Sequence, residues 1–215
     1  MNIEDAIRTR RSVRRYAPTK PARDLIEKLI EFAICAPSAS NKQPWRFYIA
    51  DNRGTIEQMA AAVEEAVARV AGHVEPAFVD AFRGYGDYFV RFREAPVVIV
   101  PAFRSLEVLS NLVDDRTATH DLGMIAAMEF NSGLISTSLA LQNLMLYAHS
   151  IGLATSCMTG PLIAARAIGT ILRIPEAWKV AACVAVGYAN ESPQPVGRKA
   201  VKTVVRWATA AAEHQ

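Results

Sequence analysis

The apolar positions of this 215-residue chain fall into runs of two different periods. Leu25, Ile26, Leu29, Ile30, Ala33 and Ile34 recur every three or four residues, which predicts a helix over about 22–35, entered through Pro18 and Pro21. A short helix is expected at 2–8 and an Ala- and Glu-rich one at 55–72. Trp45 to Ile49 alternates as a strand does, and Asp51-Asn52-Arg53-Gly54 ends it. Ala95 to Val100 and Val180 to Gly187 are continuous apolar runs, the pattern of strands covered on both faces. A strand-like piece at Leu153–Met158, a helix at 162–171 and a β-branched terminal strand at 200–207 complete the pattern. Residues 76–93 read as helix interrupted at Gly84 and Gly86, and 104–122 as a polar, irregular excursion over a surface. Helices and strands interleave, but the connections are too uneven for a regular doubly wound sheet.

From Phe130 to Ala165 there is no Asp, Glu, Lys or Arg. The length would suffice to span a membrane. Asn131, Ser132, Ser136, Ser138, Gln142, Asn143 and His149, with a break at Ile151-Gly152, argue instead for a helix over 131–150 that is buried all round. In a chain of this size, burial all round implies that a second copy covers one side. A homodimer is therefore expected, with no membrane partner.

Charge sharpens the picture at one place. Net charge is only +3, yet Arg10-Arg11-Ser12-Val13-Arg14-Arg15-Tyr16 carries four arginines, and no Asp or Glu occurs from Ala6 through Arg23. Guanidinium forks and a hydroxyl suit a phosphate; a solvated basic face is the other reading. One basic stretch in a near-neutral chain does not fit a nucleic-acid reader. Cys35, Cys157 and Cys183 are odd in number and far apart, which argues against a disulfide framework or zinc site and for a reducing compartment. The opening MNIEDAIRTRR lacks an apolar segment, so cytoplasmic residence and a single domain over 1–215 are expected. His73, His120, His149 and His214 are scattered, and no nucleotide-binding or metalloprotease motif is present. Any redox chemistry must then come from a cofactor.

The arginine stretch, followed by Ala36-Pro37-Ser38-Ala39-Ser40-Asn41-Lys42-Gln43-Pro44-Trp45, resembles the flavin signature of the nitroreductase family. Ala140–Leu144, Gly152–Pro161 and Val186–Ala189 with Arg198 continue the resemblance in the family's order. It implies an α+β fold with a central mixed, mostly antiparallel sheet flanked by helices, assembled as an intertwined homodimer with FMN at the subunit interface. It also implies ping-pong transfer from NADH or NADPH through the flavin N5 to an electron-poor acceptor such as a nitroaromatic or quinone. Reductive dehalogenation, flavin breakdown and non-catalytic flavin binding are the alternatives. Carried over by position, Arg10, Ser12, Arg14 and Arg198 hold the FMN phosphate and ribityl chain, and Arg11 contributes through its backbone or reaches the pyrimidine edge. Pro37, Ser38, Ser40 and Asn41 come from the partner chain, with Gln43 supporting that loop. Met158, Thr159 and Gly160 lie beside the isoalloxazine. Arg91 falls where relatives place a cation near N1 and O2, although a helix-end arginine with no such role fits equally. Val196 stands where some relatives carry a lysine, Met158 where many carry an aromatic, and 76–93 and 104–122 are lid-like segments without a trusted match.

Overall fold

In the computed structural model, which describes residues 1–114 and 116–208, the chain opens on α1 (Ile3–Thr9). The Asn2 side chain caps this helix by accepting the Asp5 N–H at 2.9 Å. The periodic segment becomes α2 (Arg23–Ala33), which buries Ile26, Leu29 and Ala33. β1 (Trp45–Ala50) leads through an Asn52 cap into α3 (Arg53–Ala71). Residues 76–93 break up into a 3-10 turn at Pro76–Phe78, α4 (Val79–Gly86) and a second turn starting at Arg91; α4 ends at Gly86, as expected, but runs through Gly84 without interruption. β2 (Val97–Phe103) precedes an irregular stretch and then the long α5 (Thr119–Ser150). β3 (Ala154–Met158), a 3-10 turn at Gly160–Ala164, α6 (Ala165–Ile171), β4 (Lys179–Val180), β5 (Cys183–Gly187) and α7 (Val201–Val204) follow.

The sheet runs in the order β1-β2-β5-β3, with β4 against the far end of β2, and every strand pair is antiparallel. One parallel bridge, Ser12 to Thr155, lies outside these strands. β2 is buried along its whole length, as its unbroken apolar run predicts. Its alternate residues serve two cores: Val98 and Val100 pack with Ile56, Met59 and Val63 of α3, while Val97 and Ile99 pack with Leu29 of α2 and Leu141 and Leu144 of α5. The expected α+β architecture is the one observed.

Three expectations need correction. The run Val180–Gly187 is not one strand but two, because Pro101 of the neighbouring β2 turns its donor-less nitrogen toward it. The Pro101 carbonyl on that side still accepts the Ala181 N–H at 2.8 Å, and pairing resumes at Val184. The uncharged helix starts earlier than 131, at Thr119, because Leu122, Met124, Ala126, Ala127 and Met128 favour helix enough to carry it through Gly123, and Glu129 is absorbed rather than exposed. The terminal run 200–207 is not a strand. It has no strand to pair with among the described residues, so Val201–Val204 close a helical turn, with the Arg206 guanidinium over the Val205 carbonyl.

Within one chain α5 is buried on one side only; burial all round was expected with a second copy on the other side. Ala140, Leu141, Leu144 and Ala148 face the core, while Met128, Phe130, Ile135 and Leu139 are exposed. Among the described helices it alone is long and apolar enough to cross a membrane, and 33% of its most apolar window is buried inside the protein.

Gly187 is where the sheet and the N-terminal segment come closest. A Cβ there would lie 2.8 Å from Pro96 Cδ and 2.9 Å from Tyr16 Cδ1. Gly187→Ala is therefore expected to destabilise the fold by about 1–3 kcal/mol through overpacking. The measurement is the urea midpoint, which should fall while the slope of the transition stays unchanged.

Candidate functional site

The arginine stretch is held by its backbone and by its two apolar side chains. Val13 and Tyr16 are buried in the α3 core. The Val13 N–H donates to the Thr155 carbonyl at 3.1 Å, the Ala17 N–H to Tyr188, and the Asn190 N–H to Arg15. The Tyr16 hydroxyl donates to the Val13 carbonyl at 2.5 Å. Seated in this way against β3 and the end of β5, the segment leaves Arg10 and Ser12 half-buried and Arg14 and Arg15 exposed.

The guanidinium groups gathered here, those of Arg10, Arg14 and Arg198, have no ion-pair partner among the described residues. Burial lowers the Arg10 pKa from its ordinary value, and the nearby charges of Arg198 and Arg11 lower it further. Guanidinium groups left without a side-chain ion pair among the described residues suit an oxyanion such as phosphate. The Arg11 side chain turns the other way. Its Nη1 donates to the Arg8 and Arg10 carbonyls at 2.8 and 2.9 Å, closing the end of α1.

At the end of β3, Thr155 and Ser156 are buried, and Met158, Thr159 and Gly160 turn into the following 3-10 segment. The Phe89 ring covers Gly160 so closely that a Cβ there would lie 2.1 Å from Cδ1. Arg91, two residues further on, places its guanidinium 5.7 Å from the centroid of the Tyr88 ring. The 76–93 segment thus lies over the Met158–Gly160 turn.

Pro37, Ser38, Ser40, Asn41 and Gln43 are elsewhere. They form the approach to β1, at the opposite edge of the sheet from β3. With β2 and β5 between, the two edges are separated by three strand spacings, roughly 14 Å. The loop is strained: Ser40, Asn41 and Gln43 have φ of 49°, 51° and 46°, a left-handed conformation costly for residues with a Cβ. Ser38 Oγ accepts the Gln43 N–H at 3.0 Å and Ser136 Oγ of α5 accepts the Ala39 N–H at 3.4 Å, which fixes the loop on α5. The Gln43 Nε2 also donates to Asn41 Oδ1 at 3.4 Å, within the same loop. The structure brings Arg10, Ser12, Arg14, Arg198 and the Met158–Gly160 turn to one edge and the 37–43 loop to the other.

Two participants were not read from the sequence. Phe89 lay in a segment without a clear pattern. Glu191 lay in a polar tail, yet its Oε1 accepts the N–H groups of Arg14 and Arg15 at 2.5 and 3.1 Å. An acid-free arginine run calls for a distant acid, and that signal pointed to a partner of this kind. Glu191→Ala removes both charge-assisted bonds and should cost about 1–3 kcal/mol of stability, read from the urea midpoint, with Arg14 freed from its position.

His149 of α5 ties into the same edge. The Thr9 hydroxyl donates to the Asp5 carbonyl at 2.6 Å, so His149 Nε2 is the donor in the 2.8 Å contact with Thr9 Oγ1. Burial first, then the charges of Arg10 and Arg11, hold the His149 pKa below its usual 6.5. Below about pH 6.5 the unfolded chain then binds a proton that the folded chain refuses, so stability falls as the pH drops. The His149→Gln variant, which keeps a donor for Thr9, is expected to flatten the dependence of Tm on pH between about 7 and 5.

Comparison with known proteins identifies the family and the fold. The chain is 29% identical over 207 residues to an NADH dehydrogenase of Thermus thermophilus, an alignment covering 96% of each chain. A BluB-like flavoprotein from Clostridium difficile superposes with a TM-score of 0.86 at 21% identity, covering 97% of this chain and all of that one. A nitroreductase with bound FMN from Desulfitobacterium hafniense gives 0.73 at 22% identity, again covering 97% of this chain and all of the other. The family model described as "Nitroreductase family" matches residues 7–188, from the arginine stretch to the end of the sheet, and the chain belongs to that family.

Proposed function

We propose that the protein is an FMN-dependent oxidoreductase that works as a homodimer, takes electrons from NADH or NADPH and passes them to a small electron-poor acceptor such as a nitroaromatic or quinone. The observation that carries this reading is the splitting of one flavin-like residue set between opposite edges of the sheet. A single chain cannot close such a site, whereas two copies related by a two-fold axis can close two. The exposed apolar side of α5, with Met128, Phe130, Ile135 and Leu139, supports the second copy, because a single chain leaves it to water.

In this reading Arg10, Ser12, Arg14 and Arg198 bind the phosphate and ribityl chain. Met158, Thr159 and Gly160 orient the reactive edge of the isoalloxazine, and Arg91 supplies a cation to its pyrimidine side. The loop bearing Pro37, Ser38, Ser40, Asn41 and Gln43 is contributed by the second copy, and its strained, hydrogen-bonded shape keeps it pre-organised. FMN, when bound, supplies the redox chemistry, accepting electrons from the nicotinamide and delivering them to the acceptor. No side chain is required as acid or base; positioning is the protein's contribution. The NADH dehydrogenase and the FMN-bound nitroreductase named above support the donor and the cofactor.

The purified protein is expected to be yellow, with about one FMN released per chain on denaturation, and NADH or NADPH should bleach it under nitrogen. The Arg10→Ala variant should hold FMN at least about tenfold more weakly, the equivalent of roughly 1.4 kcal/mol for a lost charge-assisted contact. A colourless protein that refuses added FMN would contradict this function.

A further inference from the structure

Beside the strained loop lies a cavity of about 510 Å³, within the size range of small-molecule sites. Its walls include Lys42, Arg104, Lys179 and Phe130. The backbone ties these walls to the loop. Lys42 follows Asn41 directly, the Arg104 N–H donates to the Pro44 carbonyl at 3.1 Å, and Lys179 sits opposite Phe103 in the β2–β4 register. Phe130 meets Phe103 edge-on at 5.0 Å, giving one apolar, aromatic wall.

The charge of the cavity is one-sided. Lys42, Arg104 and Lys179 make no ion pair with a described residue. Glu107 is the acid among the lining residues. Glu129, only 2% exposed, lies behind, and its Oε1 is taken up by the N–H groups of Val108, Leu109 and Ser110 at 2.6, 2.6 and 3.2 Å. Burial raises its pKa, but these donors outweigh that and leave it lowered, so Glu129 stays ionised and anchors the backbone at 108–110, of which Val108 lines the cavity.

We propose that this cavity receives the anionic group of the acceptor, and that the acceptor is an aromatic carboxylate. This rests on the function proposed above, which places the 37–43 loop, and with it this cavity, beside the flavin of the second copy. Lys42 and Arg104 have no ion pair among the described residues, and the Lys179 Nζ donates to the Glu176 carbonyl at 3.2 Å. Standing next to an aromatic wall, the three together suit a ring bearing a carboxylate and give a neutral ring no comparable partner. The same cations would suit the phosphates of the nicotinamide donor, and the two sources are separable by experiment.

The test is calorimetric titration of the full-length, FMN-loaded protein with benzoate and with its neutral analogue benzamide. Benzoate is expected to bind at least tenfold more tightly at low ionic strength, with the difference shrinking at 0.5 M salt (a roughly threefold shorter screening length). Arg104→Gln and, independently, Lys179→Gln should each weaken benzoate about fivefold or more and leave benzamide within twofold. Reduction by NADH or NADPH should be unchanged in both variants. Equal binding of benzoate and benzamide, or benzoate binding untouched by both substitutions, overturns the proposal. Slower reduction by the nicotinamide with unchanged benzoate binding assigns the cations to the donor's phosphates and overturns it as well. A protein that carries no FMN refutes the function; one that carries FMN and is bleached by NADH or NADPH but does not distinguish benzoate from benzamide refutes this inference alone.

Discussion

Three strand spacings lie between β3, where the arginine stretch is seated, and β1, where the 37–43 loop begins. No movement of a side chain spans such a gap: a fully stretched arginine reaches roughly half of it. β2 and β5 between the two edges are the most completely buried strands of the protein, so the separation is built into the core and cannot be relaxed locally. The proposed flavin site follows from this distance. It needs two chains because one rigid sheet holds its two halves apart.

Each half is also held in a form that it would not adopt alone. Arg10 and Arg198 are like charges brought close, which disfavours folding when nothing neutralises them. The burial of Val13 and Tyr16 and the clamp of Glu191 on the Arg14 and Arg15 N–H groups oppose this repulsion. On the other edge, three residues with Cβ atoms take left-handed backbone angles, each costing of the order of 1–2 kcal/mol. The Ser38 hydroxyl and Ser136 of α5 hold that shape. Unfavourable local terms offset by distant packing are expected where a surface is shaped for a ligand.

Most of the fold was legible because it depends on periodicity. α2 and β2 announce themselves through apolar spacing, and the end of α4 through Gly86. What was not legible depends on neighbours. The break between β4 and β5 is caused by Pro101, distant in sequence and adjacent in the sheet. The terminal valines read as a strand, but a strand needs an edge to join, and the described chain offers none there. The early start of α5 was hidden because Glu129 looks like a surface residue until its three backbone donors are seen. At the candidate site, the arginines and the Met158–Gly160 turn were readable as residue types in order. Glu191 and the left-handed angles of Ser40, Asn41 and Gln43 were not, since neither an isolated acid nor a non-glycine turn carries a local signature.

The most direct measurement of the two-chain site is FMN binding in a mixed dimer. One parent carries Arg10→Glu, which repels the phosphate; the other carries Ser40→Val with Asn41→Val, β-branched residues that left-handed angles exclude. Each parent alone should fail to retain FMN. Refolded together and purified as the hybrid, the two should give one intact site, formed by the arginine edge of the second chain and the loop of the first, with about one FMN per dimer. A hybrid that binds no more FMN than its parents would contradict a site shared between two chains.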